Sequence, residues 1–140
     1  MRFTTRGRYA LRASLVMAKL GKDGEPISIN RLSEQEGIPP VFLEQIFYKL
    51  RKAGIVKSIR GPGGGFCFAR PFKEITLKEI LDAAGEDLNL TLCNKKLKQC
   101  GKEEECISHQ VLMGMTNTLK SYFADLTLGE VIKKYNKVDE

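Results

Sequence analysis

The sequence predicts a mainly α-helical protein with a small β-wing (α+β), in which a winged helix-turn-helix is followed by a long dimerisation helix. Three observations lead to this prediction. Apolar residues recur at helical spacing in several segments, a glycine-rich turn separates two short apolar strands, and a further apolar stripe continues for four turns or more. The chain has 140 residues, of which 42% are hydrophobic and 29% charged, so it can bury one modest core.

The first three helices follow from periodicity and from residues that begin or end helices. A first helix is expected from about residue 6 to residue 20, where four residues recur at helical spacing: Tyr9, Ala13, Val16 and Leu20. Ser28 can cap a short second helix that runs to about Glu36, and Gly37 can supply a left-handed stop. Pro39-Pro40 then begins a third helix.

The third predicted helix has two different faces. The stripe that we expect to be buried consists of Leu43, Ile46, Phe47 and Leu50, and the opposite face carries Val41, Glu44, Gln45, Tyr48 and Lys52. Two helices across a tight glycine turn form a helix-turn-helix candidate, whose second helix places its N-terminal end in a major groove. There, Gln45 can bond adenine and Glu44 can accept from cytosine. An ordinary three-helix bundle would show the same stripes, and this alternative stays open.

The segment after the third helix predicts a β-wing. Residues 55–60 are typical of a strand, residues 61–65 of a tight turn, and residues 66–69 of a returning strand. The glycines would let the backbone lie close to a phosphate, and Arg60 at the base of the wing can enter a minor groove. A phosphate-binding loop for a nucleotide is disfavoured, because its Lys-Ser/Thr ending is missing and no helix follows at once.

Positive charge is concentrated in the first half of the chain. Residues 1–60 hold 12 Lys/Arg against 5 Asp/Glu, whereas residues 61–140 hold 11 against 12. A one-sided surplus is typical of a nucleic-acid binder, although a charge run also marks an ordinary solvated face. The N-terminus has neither an apolar signal core nor a run long enough for a membrane span. We therefore expect a cytoplasmic protein with no membrane partner and no small-molecule substrate.

Four candidate metal ligands lie close together in the sequence: Cys93, Cys100, Cys106 and His109. Thiolates and an imidazole suit zinc or an iron-sulfur cluster, and the spacing alone favours neither. A disulfide with an incidental histidine is the alternative, but thiols persist in the reducing cytoplasm. An enzyme is not expected, because a site with four protein ligands leaves no open position for a substrate. Cys67 lies between two phenylalanines and is expected to be a packed residue.

The second half predicts three more helices. A short amphipathic helix, with Leu77, Ile80, Leu81 and Ala84 inward, leads into the cysteine-rich loop. A helix over 108–124 follows, whose apolar stripe predicts a seam with a partner helix, although an ordinary buried helix is the alternative. Thr127 can cap a final helix. The expected division is a DNA-binding domain at 1–72, a linking helix and ligand loop at 73–107, and dimerisation and C-terminal helices at 108–140.

Three segments resemble the Rrf-two family of winged-helix transcription regulators: residues 1–10, residues 42–54 and the wing at 59–66. The cysteines and histidine are most similar to those of the family members that regulate iron-sulfur cluster biogenesis, although the gap from Cys93 to Cys100 is one residue longer than usual. The resemblance implies a homodimer in which Cys93, Cys100, Cys106 and His109 hold an iron-sulfur cluster (2Fe-2S). It also implies that Glu44, Gln45 and Arg60 match positions that contact DNA.

Together, the motifs and the resemblance predict a transcription regulator whose DNA affinity or site choice depends on the cluster. The expected DNA-binding residues are Arg2, Tyr9, Glu44, Gln45, Tyr48, Lys49, Arg60, Gly63 and Gly64. A dimer would present two recognition helices to successive major grooves, about 34–36 Å apart, so the double-stranded operator should be roughly palindromic. The alternative is a zinc-stabilised or thiol-sensing winged-helix repressor without an iron-sulfur cluster.

Overall fold

The computed structural model describes residues 3–21, 24–90 and 105–136. The helices in these ranges are α1 (Thr5–Leu20), α2 (Ile29–Glu36), α3 (Pro40–Lys52), α4 (Leu77–Ala84), α5 (Ile107–Asp125) and α6 (Leu128–Tyr135). The strands are β1 (Val56–Ile59) and β2 (Gly65–Phe68), and a 3-10 turn occupies Phe72–Glu74. The predicted fold class, mostly helical with a small two-stranded sheet, is confirmed, and the predicted helix bounds lie within about two residues of the observed ones.

The helix-turn-helix forms as the capping residues predict. The Ser28 hydroxyl accepts a hydrogen bond from the Arg31 amide at 3.1 Å, which fixes the start of α2. Gly37 ends that helix in the left-handed conformation, with φ of 66°. Arg12 of α1 then ties the end of α2 to α1, because its guanidinium donates to the Glu36 carbonyl at 2.7 Å and to the Glu36 carboxylate at 3.1 Å.

The wing is an antiparallel hairpin of β1 and β2, with Val56 opposite Phe68 and Ile59 opposite Gly65. Ile27, which precedes α2, exchanges two backbone hydrogen bonds with Phe66 at 2.8 and 2.9 Å and so anchors the wing to the helices. The turn requires glycine at position 64, since a Cβ atom there would lie 2.2 Å from the Ile59 carbonyl oxygen.

One continuous core joins the helix-turn-helix to the later helices. Its fully buried side chains include Met17 of α1, Phe47 of α3 and Ile80 of α4, and Leu128 of α6 reaches the same cluster. The core therefore continues across residue 72, where the sequence places a domain boundary. The division into 1–72, 73–107 and 108–140 remains a prediction.

Helix α5 buries little of its surface in a single chain. Thr116 and Phe123 are its buried residues, whereas Ile107 is 77% exposed and Val111, Met115 and Tyr122 are more than half exposed. These four exposed residues recur at helical spacing on one face of α5, the exposed α5 stripe. An ordinary buried helix, the alternative from the sequence, does not describe this face. None of the helices in the described ranges is long and apolar enough to cross a membrane.

Helices α4 and α6 begin side by side through matched caps. Thr76 and Thr127 form a β-bridge, in which the Leu77 amide donates to the Leu126 carbonyl and the Leu128 amide to the Ile75 carbonyl, both at 2.9 Å. Both helices start with a capping box, closed by Glu79 in α4 and Glu130 in α6.

Glu79 closes the capping box of α4 and forms an ion pair with Arg70, so its negative charge stabilises the start of this helix. Partial burial works to raise the pKa of Glu79, but hydrogen bonds from Thr76 and the ion pair with Arg70 outweigh it, so the pKa lies below its ordinary value. Its contribution to stability is therefore present above the unfolded-state pKa and is lost as pH falls through the folded-state pKa.

Replacing Thr76 by alanine removes the oxygen that accepts the Glu79 amide at 3.2 Å. We expect a loss of about 1 kcal/mol in the free energy of unfolding, measured by urea denaturation at one protein concentration. Ser58→Ala is the control, because Ser58 is exposed on β1, and its effect should stay within about 0.5 kcal/mol. Equal losses in the two variants would contradict a capping role for Thr76.

Candidate functional site

The N-terminal half of α3 presents a polar and aromatic face to solvent. Glu44, Gln45 and Tyr48 are exposed on this face and Lys49 is half-buried, because the buried residues of α3 lie on the opposite face and pack into the core. Pro39 and Pro40 start the helix without a side-chain cap. Pro40 has no amide hydrogen and the Phe42 amide donates to the Pro39 carbonyl at 3.1 Å, so this end of α3 offers few backbone donors and its side chains must make the contacts. This face has the geometry that a recognition helix needs.

The start of α1 lies beside this face of α3. Tyr9 is half-buried, and its ring meets the ring of Phe42 edge-to-face, with centroids 6.2 Å apart. The guanidinium groups of Arg8 and Arg12 lie 5.8 and 5.7 Å from the Tyr9 ring centroid. The Tyr9 ring thus contacts two guanidinium groups and the first turn of α3.

Five of the predicted DNA-binding residues border one cavity of about 420 Å³ between α1, α3 and the end of α4, here called the α1–α3 cavity. They are Tyr9, Glu44, Gln45, Tyr48 and Lys49. Arg60, Gly63 and Gly64 lie apart from them on the wing, where Arg60 is exposed directly after β1 and Gly63 has φ of 74°. Arg2 lies outside the described residues.

Glu86 is a site residue that the sequence analysis missed. Only 8% of it is exposed, and its carboxylate accepts the Thr4 amide at 3.1 and 3.2 Å and the Thr4 hydroxyl. Thr4 is the N-cap of α1, and its hydroxyl oxygen accepts the Gly7 amide at 3.1 Å. A Cβ atom at position 7 would lie 2.2 Å from the Glu86 carboxylate, so glycine makes room for it.

The chain from Glu86 to Leu90, here called the stem, leads from α4 towards the cysteine-rich segment, and α5 holds its far end. The Leu90 amide donates to the hydroxyl of Thr116, which is completely buried, at 3.3 Å. Lys120 of α5 donates to the Asn89 side-chain carbonyl at 3.3 Å. The stem is thus fixed to α1 at one end and to α5 at the other.

Two of the four predicted metal ligands are in the described part, at the start of α5. Cys106 is the N-cap of that helix and His109 stands three positions later, so both side chains belong to its first turn. The Nδ1 atom of His109 is buried and has no hydrogen-bond partner among the described residues. The Cys106 sulfur lies 3.2 Å from the Ser108 hydroxyl oxygen.

A soft or borderline cation suits these two donors. An unprotonated imidazole nitrogen that is buried needs a hydrogen-bond donor or a metal, and the positive end of a helix favours an anionic sulfur at its N-cap. Cys93 and Cys100 lie outside the described residues, and within the described ranges no group of three or more potential ligand residues gathers. Cys67 is buried in β2, in keeping with a packed residue.

The chain is similar to known transcriptional regulators. The Rrf2 family model, described as an iron-dependent transcriptional regulator, matches residues 3–134. The HTH-type transcriptional regulator IscR of Escherichia coli is 34% identical over 139 residues, which cover 99% of this chain and 85% of that protein.

Two solved structures share the fold over nearly the whole chain. IscR of T. potens has a TM-score of 0.80 and 26% identity, and the match covers 100% of this chain and 92% of that one. CymR, described as the global cysteine regulator of B. subtilis, has a TM-score of 0.77 and 25% identity, covering 96% and 98%. The resemblance seen in the sequence is confirmed: the chain belongs to the Rrf2 family of transcriptional regulators, and within it is IscR-like.

Proposed function

We propose that an iron-sulfur cluster of the 2Fe-2S type controls the DNA affinity or site choice of this regulator, and that its targets concern iron-sulfur cluster biogenesis. The observation that carries the proposal is the pairing of Cys106 with His109, whose buried Nδ1 has no partner among the described residues. With Cys93 and Cys100 they make a ligand set of three thiolates and one imidazole. Cluster binding would close the chain between residues 93 and 109 and supply a redox-active centre.

The stem connects the cysteine-rich segment to the proposed DNA-binding face through a chain of contacts. Glu86 holds the N-cap of α1, and α1 carries Tyr9, which contacts the first turn of α3. At its other end the stem is held by Thr116 of α5. A change in the loop would therefore pull on Glu86 and shift the first turn of α1 relative to the recognition helix.

The homodimer is also part of the proposal. The exposed α5 stripe is an apolar surface of the kind that a second copy would cover. Gly114 lies beside it, and nothing in the described structure comes within 4 Å of a Cβ placed there, so another helix could approach closely. Such a dimer supports a roughly palindromic operator in double-stranded DNA. The relatives are named as transcriptional regulators, which supports a cytoplasmic, non-enzymatic role.

A second candidate function is a DNA-binding regulator that responds to a different signal. Zinc accepts three cysteines and one histidine as readily as a cluster does. The alternative is therefore a zinc-stabilised or thiol-sensing repressor without an iron-sulfur cluster, and the likeness to CymR, which is described as a cysteine regulator, supports its thiol-sensing form.

The bound metal distinguishes these candidates. Protein purified without oxygen should be brown and hold about two irons and two sulfides per chain. Cys106→Ser and His109→Gln should bleach it, while Cys67→Ser, which changes a buried wing residue, should stay brown. A colourless protein with zinc would support the second candidate. Absence of both metals after reconstitution would exclude a metal centre.

Base recognition by α3 is tested with Gln45→Ala and Glu44→Ala. Because each side chain can bond one base edge, each variant should lose about 1–3 kcal/mol of discrimination at one operator position. Selection of binding sites from random DNA measures the preference. Glu74→Ala, an exposed change in the 3-10 turn, is the control and should keep the parent preference. Unchanged preferences in all three variants would move base recognition away from this face.

Coupling through the stem is tested with Glu86→Gln, which keeps the side-chain size but removes the charge that the Thr4 donors use. Operator affinity is measured for metal-loaded and metal-free protein. Their difference, typically about 1–3 kcal/mol in coupled systems, should fall towards zero in this variant.

Glu79→Gln is the matched control, because Glu79 accepts the Thr76 amide and hydroxyl in the same way but caps α4 instead of α1. It should keep the full difference between the two forms. Full coupling in Glu86→Gln, with the metal still bound, would show that the stem transmits nothing through Glu86.

A further inference from the structure

The α1–α3 cavity has walls that DNA binding does not explain. Its volume of about 420 Å³ lies in the range of small-ligand pockets. The walls are mainly apolar, with the rings of Tyr9, Phe42 and Tyr48 and the side chains of Ile46 and Ala84. Surfaces that contact the DNA backbone are instead polar and strongly cationic. An aromatic hollow beside the recognition helix suits a flat, apolar molecule better than a phosphate.

Two cations converge at one edge of this cavity. The Arg6 Nη2 and Lys49 Nζ atoms lie 3.9 and 4.0 Å from the position that a Cβ atom would take at Gly85, so both reach the same point at the end of α4. Neither makes an ion pair or hydrogen bond with the residues that the structure describes. Glu44 also lines the cavity, so its lining residues Arg6, Lys49 and Glu44 together carry one positive charge in excess. Two neighbouring cations that form no ion pair among the described residues favour an anionic group on the ligand.

We propose that the α1–α3 cavity binds a small aromatic carboxylic acid. The rings of Tyr9, Phe42 and Tyr48 would enclose the aromatic part of the ligand, while Arg6 and Lys49 hold its carboxylate. We propose reversible binding of this molecule and no chemical reaction. Gln45 and Tyr48 line the same cavity, so its occupant would compete with the operator; this consequence rests on the proposed DNA-binding face.

Direct binding is tested with 1-naphthoate and its uncharged analogue 1-naphthamide, by titration calorimetry and saturation-transfer NMR on the full chain without DNA. We expect saturable binding of 1-naphthoate with a dissociation constant of about 1 mM or tighter. The amide should bind about tenfold more weakly, because it lacks the charge that Arg6 and Lys49 hold.

Two variants locate the site. Arg6→Gln should weaken 1-naphthoate binding about tenfold, and Ala84→Met should abolish it, because the longer side chain fills the floor of the cavity. Arg31→Gln, an exposed change on α2, is the matched control for Arg6→Gln and should bind like the parent. Thermal melts check that each variant folds. If Ala84→Met does not fold, the affinity of Arg6→Gln for 1-naphthoate still decides whether the cavity is the binding site.

Three results would overturn the proposal. They are equal affinity for 1-naphthoate and 1-naphthamide, unchanged affinity of Arg6→Gln for 1-naphthoate, and the absence of saturable 1-naphthoate binding. Competition is measured separately: 1-naphthoate should weaken operator binding by the parent but not by Ala84→Met. Ligand binding without this effect would refute the competition alone. Because the ligand titrations use neither DNA nor metal, they remain decisive even if the proposed cluster control fails.

Discussion

The structure depends most on the hydrogen bonds that Glu86 accepts from Thr4. Its nearly buried carboxylate takes both donors of the α1 N-cap, and an acid at the positive end of a helix is electrostatically favourable. Helix α1 in turn packs on α3 and α4 and supplies Tyr9, which contacts the first turn of α3. A single buried carboxylate thus fixes where the first turn of α1 stands.

Helix α5 brings together two of the proposed metal ligands, the anchor of the stem and an exposed apolar face. Its first turn holds Cys106 and His109, its buried Thr116 fixes the stem of the ligand loop, and its outer face is the exposed α5 stripe. These two proposed metal ligands, the anchor of the stem and the proposed dimer contact therefore all lie on one helix. Because backbone hydrogen bonds join successive turns of a helix, a displacement of the first turn would also move the Thr116 contact to the stem.

The local features of the fold were predictable, whereas its long-range contacts were not. Ser28, Gly37 and the buried stripe of α3 follow from capping chemistry and a 3.6-residue period, and the structure confirms them. Glu86 reaches Thr4 across 82 positions, and no local pattern marks an acid after Gly85 as a helix anchor. The α1–α3 cavity was equally hidden, since α1, α3 and α4 each contribute part of its wall. The ligand set was visible as a motif, but Cys93 and Cys100 lie outside the described residues.

Amide hydrogen exchange at the start of α1, compared between metal-loaded and metal-free protein, tests the central claim most directly. The amides of Thr4, Gly7 and Arg8 donate within the cap that Glu86 holds, so their protection reports its integrity. The account predicts that metal loading changes protection there, with little change at the wing amide of Phe66. Identical protection of the α1 cap in both forms would contradict transmission from the ligand loop to the DNA face.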